Sequence, residues 1–158
     1  MPLERSIAEV DLAYAAGIVD GEGSISASVS VHSPLNFRVV IAVSMCDYAV
    51  PEFMAHIFGG RVVERKQKTK SGKIVYTWAL YCRNAAGALN LMVPYLLIKK
   101  ARAESAIKLA MMMRPRQIAR REKLTFSIEE IRCRHLLADL VTNANFASNG
   151  RMTRYAPL

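Results

Sequence analysis

Between Ser24 and His32 every second residue is Ser or His, and Ile25, Ala27, Val29 and Val31 fill the places between them. Such period-2 alternation is the pattern of a strand with one buried and one open face. Ser33-Pro34-Leu35-Asn36 reads as a turn. The next run puts Phe37, Val39, Ile41 and Val43 on one side and Arg38, Val40, Ala42 and Ser44 on the other. Two amphipathic strands one turn apart predict a hairpin, which commits the chain to an antiparallel sheet with something packed on its apolar face.

The rest of the chain supplies the packing and a second hairpin. Ser6 and Glu9 have capping-box spacing, which predicts a helix from Ile7 to about Asp20. Asp47 is placed to cap a short helix running to Phe58, with Pro51 tolerated in its first turn and Gly59-Gly60 ending it. Arg61–Lys66 and Ile74–Cys82, joined by a basic turn, read as the second pair of strands. Helices are expected over about Ala85–Leu96 and Ala101–Met113. A basic connector follows through Arg114 and Lys123, then a helix from Ser127 to about Val141 and a polar tail from Asn143. The order αββαββα, with C-terminal helices added, implies an α+β fold with one antiparallel sheet backed by helices on one side. We read 1–158 as a single domain, with a core over about 7–113, a helical extension over about 114–143 and a tail over 144–158.

The junction of the first helix and first strand is chemically odd. Ala15-Ala16-Gly17-Ile18-Val19-Asp20-Gly21-Glu22-Gly23-Ser24 sets two acids at a helix C-terminus, the negative pole of the macrodipole. A hard cation liganded by carboxylate and carbonyl oxygens would make that arrangement favourable; a solvated, glycine-capped terminus is the plainer alternative. The small residues Ala13, Ala15, Ala16 and Gly17 allow two helix backbones to approach closely. The net charge of +9 favours a polyanionic partner. The scattered Cys46, Cys82 and Cys133, and the dispersed His32, His56 and His135, have no metal-ligand spacing. They suggest reduced thiols in an intracellular protein, cytoplasmic or organellar. Neither a membrane span nor a signal-peptide pattern is seen.

The run from Ala15 to Gly23 resembles the signature of the LAGLIDADG homing endonucleases, and the element order over roughly 7–113 resembles that family's core. The resemblance implies a saddle-shaped four-stranded sheet lying in the DNA major groove. Ser26, Ser28, Ser30 and His32 on the first strand and Asn36, Arg38, Val40 and Ala42 on the second would be its readers. Lys66, Lys68 and Tyr76 are candidates on a second hairpin whose register the sequence leaves open. Short and apolar readers imply water-mediated and thymine-methyl contacts, with Arg38 suited to bidentate recognition of guanine.

The same resemblance implies Glu22 as the catalytic metal ligand, assisted by the Gly21 carbonyl, with Mg2+ in the site and Ca2+ or Mn2+ able to substitute. Lys99, after Pro94-Tyr95-Leu96-Leu97-Ile98, would lie near the water or phosphate, with Lys100 the neighbouring alternative. Met45 stands where the family often has a Gln, and a thioether cannot donate a hydrogen bond. One motif per chain implies a homodimer joined through Ala13, Ala16, Gly17 and Asp20, acting on a long pseudo-palindromic duplex. The other reading of the same scaffold is a non-cleaving nucleic-acid-binding protein, an intron RNA maturase or DNA-binding regulator. An unrelated basic domain carrying a chance motif would be monomeric.

Overall fold

The computed structural model describes residues 7–30, 33–66, 72–112 and 127–147, without the side chains of 29–30, 33–36 and 144–147. Along the chain lie α1 (Glu9–Gly21), β1 (Gly23–Ser30), β2 (Ser33–Met45), α2 (Ala49–Phe58), β3 (Val62–Lys66) and β4 (Ile74–Tyr81). They are followed by α3 (Cys82–Met92), a 3₁₀ turn (Val93–Tyr95), α4 (Lys100–Met112) and α5 (Ile128–Ala147). The expected α+β order is therefore present. All strand pairs are antiparallel in one sheet of order β1-β2-β4-β3, so the two hairpins join through their second strands.

The alternation decides which side of the sheet the helices cover. Ile25, Val39, Ile41, Val43 and Trp78 are fully buried on one face, where Ala85, Leu89 and Met92 of α3 and Ala103, Ala106 and Leu109 of α4 complete the core. The register aligns Val43 with Trp78 and Ile41 with Leu80, so the buried positions of the central strands form one continuous layer. The open face carries the other phase. Burying Trp78 also requires a partner for its indole N–H. Nε1 donates to the Gly59 carbonyl at 2.8 Å. Gly59 and Gly60 have φ of 76° and 90°, and a Cβ on Gly60 would come within 3.0 Å of the Leu80 side chain. The backbone angle favours glycine at both positions, and at Gly60 the space is tight as well.

Several boundaries differ from expectation. Helix α1 begins at Glu9 with Ala8 as its N-cap and no side-chain cap, and Ser6 of the expected capping box lies outside the described residues. Strand β2 starts at Ser33, where a turn through Asn36 was expected, with a register irregularity at Val29/Ser30. Strand β4 passes directly into α3 through Cys82 at φ 50°, three residues before the expected start at Ala85. The proline ring at Pro94, without an N–H, ends the regular helix at Met92, and the 3₁₀ turn replaces its expected last stretch to Leu96. Helix α5 continues to Ala147, beyond the expected end at Val141 and into the expected tail, and its Ala138 and Val141 are buried in the common core. Its start is as read: the Ser127 hydroxyl accepts from the Glu130 N–H at 3.1 Å. Asp47 likewise accepts from the Ala49 N–H at 2.8 Å at the start of α2. The basic connector from Arg114 to Lys123 lies outside the described residues.

Candidate nucleic-acid interface and metal site

The open face of the sheet can be read off the register. Ser24 stands opposite Ala42, Ser26 opposite Val40 and Ser28 opposite Arg38. On the other side of β2, Val40 faces Tyr81, Ala42 faces Ala79 and Ser44 faces Thr77, and β3 adds Val63 and Arg65 opposite Thr77 and Val75. Directly paired residues point to the same side of a sheet. Ser26, Ser28, Arg38, Val40 and Ala42 thus share one surface, as the sequence predicted. The side chains of Ser30 and Asn36, and all of His32 and Lys68, lie outside the described residues.

Two expected members are not on that surface. Tyr76 has the phase of the buried Trp78 and packs edge-on against Tyr48, ring centroids 5.1 Å apart, on the helix side. Lys66 pairs one step further along with Ile74, in the same phase as Tyr76. The open face carries Arg65, Thr77 and Tyr81 in their place. The signal that could have found them is Trp78, whose burial fixes the phase of β4 once its single indole is assigned to the core.

Within the open face two contacts order the side chains. The Ser44 and Thr77 hydroxyls are 2.8 Å apart across β2 and β4. The Arg38 guanidinium lies 4.3 Å from the centroid of the Tyr81 ring, a cation–π contact that holds a long side chain upright on the surface. Residues nearest the end of α1 are short and uncharged: Ser24, Ala42, Ser44, Thr77 and Ala79. Met45 has the opposite phase, opposite Tyr76, and its side chain packs against the core. Its thioether is a packing group there.

At the edge of this face the end of α1 and the start of α4 are knotted together. The Asp20 carboxylate accepts three backbone N–H groups: Leu97 at 2.8 Å and Ile98 at 3.2 Å through Oδ2, and Lys99 at 2.9 Å through Oδ1. In return the Lys99 Nζ donates to the carbonyls of Val19 (2.7 Å), Asp20 (2.8 Å) and Gly23 (2.8 Å). Each charge thus sits at the helix pole of opposite sign: the carboxylate at the N-terminus of α4, the ammonium at the C-terminus of α1. Burial first and the neighbouring Arg102 charge second pull the Lys99 pKa below the usual lysine value, against the opposing pull of Asp20 and Glu22. At the other end of α1, burial first and the nearby Glu9 carboxylate second raise the Tyr95 pKa above the usual phenol value.

Gly23 makes this junction possible. A Cβ there would lie 2.7 Å from the Val19 Cα and 2.8 Å from its carbonyl oxygen. Strand β1 therefore leaves the helix at a distance only glycine allows. Between Asp20 and Gly23 the Glu22 side chain is exposed, and among the described residues no hydrogen bond to its carboxylate or to the Gly21 carbonyl is found. Among the described residues there is also no group of three His, Cys, Asp or Glu that could hold a metal ion. One chain offers one free carboxylate and a neighbouring carbonyl.

The expected interface residues separate into two sets. Ala13 and Gly17 are exposed on α1, in line with Val10 and Tyr14, which are 78% and 56% exposed. Ala16 is fully buried beside Ala15 and Val19 in its own core, so it cannot meet a second chain. Asp20 spends its carboxylate within the chain. Leu97 and Ile98, at 88% and 74% exposure, extend the uncovered apolar surface beside Asp20, and the sequence reading missed them. A Cβ added at Gly17 or Gly21 would meet nothing within 4 Å. Among the described residues no helix is long and apolar enough to cross a membrane.

No family model and no curated protein matches this sequence. Solved structures do match. The archaeal intron-encoded homing endonuclease I-Vdi141I, complexed with DNA, is similar at a TM-score of 0.64 and 19% identity over 93% of this chain and 89% of that one. The homing endonuclease I-CvuI, in complex with its target in the presence of calcium, gives 0.62 and 19% over 92% and 87%. The LAGLIDADG homing endonuclease I-SmaMI, bound to cleaved DNA, gives 0.57 and 15%, with 94% of this chain covering only 50% of that chain. The present chain has the fold of the LAGLIDADG homing endonucleases.

Proposed function

We propose that this chain is a site-specific endonuclease of double-stranded DNA that works as a homodimer with divalent metal, Mg2+ in the first place. The observation that carries the proposal is the exposed Glu22 carboxylate, unpartnered among the described residues, held at the edge of an open sheet face bearing Arg38, Arg65, Tyr81 and a row of hydroxyls. The donor set suits Mg2+, which keeps several waters and takes one or two carboxylates together with substrate phosphate oxygens. Glu22 and the Gly21 carbonyl would hold it. Bound there, the ion would supply a more acidic water and offset charge on the scissile phosphate.

The chain's own residues do the rest. The sheet face sets the register on the duplex, and Arg38, steadied by Tyr81, presents two donors to a guanine edge. Arg65 and the basic surface meet phosphates. The homodimer rests on α1. Gly17 makes no contact that a methyl would disturb, yet mid-helix glycine costs about 0.8–1.0 kcal/mol relative to alanine. Its smallness has a use if a second α1 packs across Val10, Ala13, Tyr14 and Gly17. The neighbours support the same reading: this chain covers most of I-Vdi141I and I-CvuI but half of I-SmaMI, as a chain needing a second copy would.

The test is incubation of the purified chain with a randomised duplex library and Mg2+, with Ca2+ as the control for binding without cutting. Enriched cut ends with pseudo-palindromic flanks are expected. Enrichment by binding without any cut would leave the non-cleaving reading.

A further inference from the structure

The Lys99 ammonium donates to the carbonyl of Gly23, the residue after Glu22, and resemblance alone would send it to the water or phosphate. Its surroundings point elsewhere. A lysine ammonium has three N–H donors and no acceptor. All three are used, at 2.7, 2.8 and 2.8 Å, on the carbonyls of Val19, Asp20 and Gly23. No donor remains for a water or a phosphate oxygen unless one of these bonds is given up. Those carbonyls flank Glu22 on both sides in the chain, and a helix C-terminus has four carbonyls without intrahelical partners, so the ammonium is the cap of α1. The Asp20 carboxylate in turn accepts from the backbone N–H of the same lysine and from those of Leu97 and Ile98 just before it. The two residues brace the backbone on either side of Glu22 from opposite directions.

We propose that Lys99 is a positioning residue: with Asp20 it forms a reciprocal clasp that fixes the Gly21–Glu22 segment for metal binding, and it does not itself touch the reacting groups. This rests on the endonuclease reading above for its consequence, and on the hydrogen bonds alone for the clasp. Asp20 and Lys99 are then equivalent in effect, although one is an acid and the other a base.

The experiment compares Lys99→Met, Asp20→Ala and the double variant in the full-length protein, with Lys99→Arg as a milder change that keeps the charge but spreads its donors over a plane. Circular dichroism first identifies which variants are folded. Amide exchange at Leu97, Ile98 and Lys99 is followed without DNA, and single-turnover cleavage is titrated with Mg2+. In Lys99→Met, the three amides should exchange faster although their acceptor Asp20 is intact. The Mg2+ concentration for half-maximal cleavage should rise on the order of 10–100-fold in both single variants, the usual effect of removing a group that orients a metal ligand. The double variant should be no worse than either single one, and Lys99→Arg should fall between them and the wild type. DNA binding in Ca2+ should be unchanged. Loss of cleavage in Lys99→Met with normal amide exchange and a normal Mg2+ requirement, or an Asp20→Ala protein as active as wild type, would overturn the proposal. A wild type that cuts no DNA would refute the endonuclease reading, and the amide exchange would still decide whether the clasp exists.

Discussion

Replacing Gly17 by alanine separates a free helix face from an interface, because the two predict opposite signs. Within one chain a Cβ at this position meets nothing within 4 Å. The substitution should then stabilise the isolated protomer by about 0.8–1.0 kcal/mol, the usual gain for a mid-helix position. For a chain of this size each kcal/mol moves Tm by roughly 2–4 °C. At a two-fold contact between α1 helices the same change introduces two methyls where two backbones meet. Overpacking of that kind costs about 1–3 kcal/mol, or roughly 5- to 140-fold in the dimer dissociation constant. Sedimentation equilibrium over a concentration series measures the second effect directly, and thermal unfolding over the same series measures their balance. At concentrations well above the wild-type dissociation constant Gly17→Ala should melt lower than wild type, and at high dilution it should melt higher. A rise in Tm at every concentration, with association unaltered, would refute the helix-interface model.

Further tests address single residues. Glu22→Gln should abolish cleavage in Mg2+ while leaving binding to the same duplex in Ca2+ intact; nicking by this variant, scored on supercoiled plasmid, would remove Glu22 from the mechanism. Gly23→Ala should destabilise the fold by about 1–3 kcal/mol, because its Cβ meets the Val19 backbone and not a yielding side chain, and urea unfolding measures it. Arg38→Ala should cost about 1–3 kcal/mol of specific binding and relax discrimination at one base pair of each half-site, read by competition against a set of single-base variants. Tyr81→Leu should weaken discrimination at that same pair by about 0.5–1 kcal/mol, the worth of an exposed cation–π contact.

Much of the architecture was legible in the sequence because it rests on local chemistry. The alternation from Ser24 to Val43 gives the first hairpin and its two faces, since the side-chain period of a strand leaves no other arrangement for those residues. The helix ends at Asp47, Gly59-Gly60 and Ser127 are set by a side-chain acceptor or by backbone angles that glycine adopts at no cost. The acids at the end of α1 singled out a candidate site for the same reason: a carboxylate at the negative pole of a helix needs an explanation. In the structure Glu22 is exposed, and no hydrogen bond to its carboxylate is found among the described residues.

What escaped was decided by contacts between distant segments. Tyr76 and Tyr81 lie five positions apart on opposite faces of β4, and aromatic residues favour strands whichever way they point; the burial of Trp78 against Val43 of β2 fixes the phase. A helix built from Ala13, Ala15, Ala16 and Gly17 has no marked apolar side, so its sequence cannot say that Ala16 faces inward and Gly17 outward. The destination of the Lys99 ammonium, on carbonyls 76 to 80 positions earlier in the chain, follows from the way α4 meets the end of α1. Local propensity and period thus determined the elements, their order and the acidic residue at their junction. Register, the inward side of a featureless helix and the partner of a long flexible cation were left to the tertiary structure, because each is set by a neighbour that the local sequence does not contain.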